Sequence, residues 1–168
     1  MRIICVGVLF LFLGSISLQA QKYAYCNSGN LVEAIALKEN TDQLLEAFQD
    51  PLIKQGQDML NTLKENERKL YAEIEKGVLS QVAIQERQNL LIAETEKITK
   101  FEKEVANKIA VKRQELLEPI LKKVQVAIDQ VAKDGGYSMV FDESSYNAIL
   151  FADPANDITP LVKGKLDL

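Results

Sequence analysis

Residues 60–101 read LNTLKENERKLYAEIEKGVLSQVAIQERQNLLIAETEKITKF, and this stretch decides the fold of the chain. On both sides of Gly77 the apolar side chains recur at steps of three, four or seven residues, which places them on one face of a helix. That face is a narrow seam that suits one partner helix. The stretch therefore predicts two long antiparallel helices joined near residues 76–80. The predicted seam consists of Leu60, Leu63, Leu70, Ile74, Ile84, Leu91, Ile98, Phe101, Val105 and Ile109, and Glu67 interrupts it.

The helical pattern extends outward from this turn to about residue 44 on one side and to about residue 133 on the other. Pro51 lies inside the first predicted helix, where a proline is tolerated only if a turn restarts there. Gly77 breaks the pattern, and Ser80 is placed to cap the return helix. We therefore predict a protruding helical arm over residues 44–118, with its tip near residues 76–80.

The two ends of the chain predict a small body made of short elements. Residues 22–26 and 137–141 are typical of strands, and residues 148–151 predict a further strand that forms a hairpin with the second one. Short helices are predicted near residues 31–36 and 158–166. Three short strands bury too little apolar surface to be stable alone, so we expect the body to associate with further copies of the chain. The predicted class is α+β, with a body formed by residues 21–43 and 119–168.

The first twenty residues are typical of a cleavable signal peptide. Arg2 supplies the positive start, an apolar run follows at residues 3–13, and Leu18-Gln19-Ala20 is an acceptable cleavage site. The apolar run is too short for a comfortable membrane span. We therefore predict export of a single mature domain, residues 21–168, to the periplasm.

Composition argues against several functional classes. The chain has no histidine and no tryptophan, so it lacks the commonest general base and the commonest zinc ligand. Its formal net charge of −4 disfavours nucleic acid and anionic lipid as main partners. Its many helical carboxylates are typical of a solvated helix face. We expect no enzymatic activity, no cofactor and no metal. After signal cleavage Cys26 is the remaining cysteine, which is either a buried thiol or the site of a bridge between subunits.

Three stretches near the chain ends carry a resemblance to a known family. They are YAYCNS at residues 23–28, GYSMVFD at residues 136–142, and ILFADP at residues 149–154 followed by NDIT at residues 156–159. In this order, behind a signal peptide and around a long helical hairpin, they resemble the Skp/OmpH family of periplasmic chaperones. The resemblance covers the whole predicted mature chain. Two features depart from it: the best-known members are strongly basic, and Cys26 stands where an aliphatic residue is usual.

The resemblance implies a jellyfish-like homotrimer in which three helical hairpins hang from a shared β body. It also implies an ATP-independent holdase that binds unfolded outer-membrane β-barrel proteins and prevents their aggregation. The acidic charge of this chain argues against capture of lipopolysaccharide or of an anionic membrane. A structural coiled-coil protein of the cell envelope is the alternative, although a fibre needs no strand-containing body.

Seam residues cannot also form a client surface, so the candidate binding residues lie off the seam or at the arm tip. The candidate client-binding residues are Met59, Val78, Leu79, Val82, Leu90 and Ile92. The residues predicted to build the body and the trimer contact are Tyr23, Tyr25, Leu31, Ile35, Val140, Phe141, Ile149 and Phe151.

Overall fold

The structure is a computed structural model, and it describes residues 21–168. The predicted signal peptide, residues 1–20, lies outside the described residues. The chain divides into two compact units. The strand unit contains the described chain up to Ser28 together with Val126–Asp167, and the hairpin unit contains Gly29–Gln125. The elements in chain order are β1 (Tyr23–Cys26), α1 (Ser28–Lys38), α2 (Thr41–Glu75), α3 (Gln81–Gly135), β2 (Met139–Asp142), a 3-10 turn (Pro154–Asn156) and α4 (Thr159–Lys165).

The hairpin unit is built on the two long helices that the sequence predicts. Helix α2 starts three residues earlier than expected and continues through Pro51. At its end Gly77 adopts a left-handed backbone with φ of 68°, and its N–H donates to the Ile74 carbonyl at 2.9 Å. Glycine adopts this conformation at little steric cost. The side chain of Ser80 then accepts a hydrogen bond from the Ala83 N–H at 3.2 Å, which caps α3 as predicted.

The seam prediction is confirmed along the hairpin. Leu63, Leu70 and Ile98 are buried, and the other seven predicted seam residues are half-buried. Phe101 packs over Gly56, since a Cβ at that glycine would lie 3.4 Å from the ring. The seam is thus a narrow apolar line between two helices that are otherwise solvated.

The register between α2 and α3 is symmetric about Ser80. Arg87 contacts Glu73 at 3.0 Å, and each lies equally far from Ser80 along the chain. The same symmetry relates Asn66 to Glu94, and it relates Phe48 to Lys112, whose ammonium lies 5.9 Å from the ring centroid. Polar and apolar contacts therefore specify one register over most of the hairpin.

The strand unit contains a two-stranded parallel sheet. Strand β1 pairs with β2 in a register that matches Tyr23 with Met139 and Tyr25 with Phe141. Because side chains alternate along a strand, Ala24 and Cys26 point the other way and are buried. The buried-thiol interpretation of Cys26 agrees with this position, where the residue is 2% exposed. The remaining buried apolar side chains of this unit are Ala127, Val131, Ile158 and Val162.

The predicted strand over residues 148–151 is wrong for the single chain. Residues 143–153 form turns and irregular backbone, and Asn147 adopts a left-handed conformation. The edge of β1 that does not pair with β2 is covered by the residues just before α4. There the Ile158 N–H donates to the Tyr25 carbonyl at 3.0 Å. A strand forms only beside a partner that pairs its backbone groups, and residues 148–151 have no such partner within residues 21–168.

The ends of the strand unit are fixed by polar contacts. Lys22 donates from Nζ to the Gly135 carbonyl at 3.1 Å and lies 4.2 Å from the centroid of the Tyr137 ring. The Asp157 carboxylate accepts from the Thr159 N–H at 2.8 Å at the start of α4. A search of residues 21–168 finds no helix whose length and apolar character would allow it to span a membrane.

Candidate binding surfaces

The six candidate client-binding residues all lie in the hairpin unit. Val78, Val82, Leu90 and Ile92 are between 58% and 68% exposed. Met59 and Leu79 are half-buried. Complete burial of a fully exposed apolar side chain is worth about 1.5–3 kcal/mol, so each of these partly exposed side chains can contribute a fraction of that in a contact that leaves the seam intact.

The structure divides these six residues among three places. Val78, Leu79 and Val82 lie at or beside the turn between α2 and α3. Met59 and Leu90 lie on one lateral face of the hairpin, where both line cavities between the helices. Ile92 lies about 200° around α3 from Leu90, and therefore on another face.

The lateral face contains two neighbouring cavities, which together we name the lateral groove. The first has a volume of about 290 Å³, and the second has a volume of about 220 Å³. Glu94 borders both cavities. The first is further lined by Asp58, Met59, Thr62, Lys97 and Ile98, and the second by Lys69, Leu70, Arg87, Leu90 and Leu91.

A polar pair crosses the hairpin between the two cavities. Asn66 donates from Nδ2 to both carboxylate oxygens of Glu94, at 3.0 and 3.1 Å. Both side chains are half-buried. Sequence reasoning identified Glu67 as the interruption of the seam and missed this pair. The signal was available, because Asn66 lies midway between Leu63 and Leu70, and Glu94 lies midway between Leu91 and Ile98.

The residues predicted to form the body fall into two groups. Leu31 is 0% exposed and Ile35 is 4% exposed, and both belong to the hairpin unit. They complete the core of the single chain and leave no side-chain surface for a second copy. The other six belong to the strand unit, and all but Val140 line one cavity there.

This aromatic cavity has a volume of about 500 Å³. The rings of Tyr23 and Phe141 lie 6.3 Å apart between centroids, tilted by 49°. Phe151 lines the cavity and is 87% exposed, and the adjacent Leu150 is 88% exposed. Contiguous exposed apolar surface is typical of protein–protein contacts, membrane contacts and ligand-binding grooves. Sequence reasoning did not include Leu150 or Met139, which is also exposed.

Acidic groups surround the strand β1 next to this cavity. Burial raises the pKa of the Cys26 thiol to about 11, and the carboxylates of Asp142, Asp157 and Glu143 add to the effect. The pKa of Tyr25 is raised in the same way, first by desolvation and then by nearby carboxylates. The thiol is therefore protonated at neutral pH and is a poor nucleophile.

Asp142 joins the end of β2 to the start of α1. Its carboxylate accepts hydrogen bonds from the N–H and the hydroxyl of Ser28, at 3.2 and 2.5 Å. It also accepts from the N–H and the hydroxyl of Ser144, at 3.0 and 2.8 Å. Burial is the largest influence on this carboxyl and raises its pKa, but the four hydrogen bonds together lower it. Within the part of the chain that the structure describes, no group of three or more metal-ligating side chains is found.

Comparison with known proteins agrees with this architecture. The sequence profile of the family described as outer membrane protein (OmpH-like) matches residues 22–166. No match was found among curated proteins. Among solved structures, the fold is similar to that of a candidate outer membrane chaperone (OmpH-like) from Caulobacter crescentus CB15, with a TM-score of 0.70. The two sequences are 19% identical, over 92% of this chain and 88% of that chain. Since the family profile spans almost every described residue, the chain belongs to the OmpH-like outer membrane protein family.

Proposed function

We propose that this protein is an ATP-independent holdase of the periplasm that binds unfolded outer-membrane β-barrel proteins and prevents their aggregation. Membership of a family that includes outer-membrane chaperones supports this proposal. The observation that carries it is the set of exposed apolar side chains on the charged hairpin. Val78, Val82, Leu90 and Ile92 lie outside the seam, so they are free to contact a client while the hairpin stays intact.

Holding by such a surface depends on many weak contacts. Each exposed apolar side chain contributes little alone, but several hairpins in one assembly raise the effective concentration of the next contact. Because every contact is weak, a client leaves once its own folding offers a more stable state. The mechanism requires no nucleotide, metal or chemical step.

We further propose that the assembly is a homotrimer formed through the strand units. The aromatic cavity and the exposed Leu150 and Phe151 support this step, since the single chain leaves this apolar surface in water. Residues 148–151 carry a strand pattern that pairs with no other strand of the described part of the chain, and a neighbouring copy would supply a partner. The predicted signal peptide supports the periplasmic location.

The proposal is tested by measuring aggregation of a urea-denatured β-barrel protein after dilution, with and without this protein. We expect light scattering from the client to fall when one trimer is present for each client molecule. Native mass spectrometry of the protein should give the mass of three chains. A variant with all six candidate residues changed to serine should remain helical and hold the client less well. Unchanged scattering with several clients would favour the structural coiled-coil alternative, and a folded monomer would refute the trimer.

A further inference from the structure

We propose that the lateral groove binds an extended segment of the client, with two side chains from one face of that segment inserted into its two cavities. This inference rests on the proposed function and assigns the chain conformation that the hairpin recognises. It selects Met59 and Leu90 from the six candidate residues as one site, because they line neighbouring cavities on the same face.

The spacing of the two cavities fits an extended chain. Thr62 lines the first cavity and Leu70 lines the second. At about 1.5 Å per residue, they lie about 12 Å apart along α2. In an extended chain, residues four apart point to the same side and are separated by about 13 Å. A client side chain and the one four positions later therefore reach the two cavities together, on either side of the Asn66–Glu94 pair.

Side chains at the border of the groove can form hydrogen bonds with the backbone of an extended segment. An extended chain that is not in a sheet leaves its N–H and C=O groups unpaired, whereas a helix has already used most of them. Glu94, Arg87 and Lys69 are already paired with Asn66, Glu73 and Glu65. At the first cavity, Asp58 provides a carboxylate acceptor and Lys97 provides a donor. Both kinds of client backbone group therefore find partners beside that cavity, which favours an extended occupant over a helical one.

The chemistry of an unfolded β-barrel strand satisfies both conditions. Its apolar side chains alternate with polar ones, so every second residue can face a cavity while the intervening residues face solvent. The groove therefore selects segments in which apolar and polar residues alternate, and it does not require a particular sequence. Glu94 lines both cavities and is paired with Asn66, so a polar group lies where the two cavities adjoin. Two separated apolar side chains avoid this polar pair, whereas a continuous apolar ridge would contact it.

The first experiment compares two double variants of the full-length mature protein. Met59→Ser with Leu90→Ser removes the apolar contacts of the groove. The control, Ile53→Ser with Tyr71→Ser, removes two exposed apolar side chains that lie outside the groove and are not among the six candidate residues. The Kd for a fluorescent, urea-denatured β-barrel protein is measured after dilution, and circular dichroism checks that both variants stay helical. We expect the groove variant to bind at least about 5-fold more weakly, because two apolar contacts are lost, and the control to change less than about 2-fold.

The second experiment tests the conformation of the occupant with two labelled nine-residue peptides of identical composition. One alternates apolar and polar residues, and the other places its apolar residues at helical spacing. Fluorescence anisotropy should give tighter binding of the alternating peptide, and the groove variant should lose that preference.

Each outcome bears on one of the two proposals. If wild type fails to bind the unfolded barrel protein, the holdase function fails and the groove proposal falls with it. If wild type binds and the two double variants weaken binding equally, the function stands and the groove proposal is wrong. Binding of neither peptide, or a preference for the helical one, also overturns the groove proposal.

Discussion

At the scale of single residues, burial and charge at β1 decide the chemistry of the one described cysteine. Cys26 is covered by its neighbours and faced by three carboxylates, so its pKa rises from 9.0 to about 11. We predict that the thiol reagent 5,5′-dithiobis(2-nitrobenzoate) reacts slowly at pH 8 with the folded protein lacking residues 1–20. Its reaction with the same protein unfolded in urea should be far faster. Equal rates would show that the thiol is accessible and that β1 opens readily.

The same raised pKa sets the sign of a pH effect on stability. The folded state keeps the Cys26 proton to higher pH than the unfolded chain does. The stabilising contribution is therefore complete below about pH 9 and is lost as the pH rises from 9 toward 11. Urea unfolding of wild type and Cys26→Ala across this range checks the expectation, because the variant should lose the cysteine part of the pH dependence.

At the scale of elements, the seam of the hairpin was predictable because its period is set by helix geometry. Ile98 lies on that seam and is 6% exposed, whereas Ile92 lies off it and is 58% exposed. We predict that Ile98→Ser destabilises the hairpin unit by about 2–4 kcal/mol, since it empties a buried site and leaves a hydroxyl there. Ile92→Ser should cost less than about 0.5 kcal/mol.

Urea unfolding monitored by circular dichroism compares these two isoleucine variants with wild type. A similar loss of stability in both isoleucine variants would mean that burial in the seam does not stabilise the hairpin. The comparison is sharp because the residues have the same chemistry and belong to the same helix, so only burial differs.

The elements that could not be predicted depend on partners distant in sequence. The run at residues 148–151 has the composition of a strand, but the backbone groups beside β1 are taken by Ile158 and its neighbours. The pair Asn66–Glu94 was missed for a different reason: both residues lie at seam spacing, but the seam was predicted from apolar side chains alone. The local sequence pattern thus predicted the helices and their turn. The pairings between residues distant in sequence had to come from the structure.

At the scale of the whole molecule, the exposed apolar surface of the strand unit is the contact that we propose between copies of the chain. Leu150 and Phe151 contact little within the chain, so changing them should leave the single-chain fold intact. We predict that Leu150→Ser with Phe151→Ser lowers the native mass from three chains to one at micromolar concentration. Tyr71→Ser, at an exposed site on α2, is the matched control and should leave the mass unchanged.

Sedimentation equilibrium of the three proteins at several concentrations measures this effect. If the double variant sediments as wild type does, the aromatic cavity is not the contact between copies. A loss of helicity in the double variant would instead place these two side chains in the fold of the chain itself. Neither the proposed trimer contact nor the proposed client surface follows from periodicity, because exposure of an apolar side chain does not say which partner covers it.

The register of the hairpin, in which the pairs Glu73–Arg87, Asn66–Glu94 and Phe48–Lys112 are each equidistant from Ser80, allows evolution to change the length of the hairpin. Removing residues 63–69 together with their counterparts 91–97 excises one heptad from each helix and returns every remaining pair to its old neighbour. The hairpin shortens by about 10 Å with its turn unchanged. With the turn unchanged, an unmatched deletion in one helix would misalign every contact on the side of the deletion away from the turn. Insertions and deletions in related chains should therefore be seven residues long and occur at matching positions in both helices. The length of the hairpin can then change while the fold stays the same.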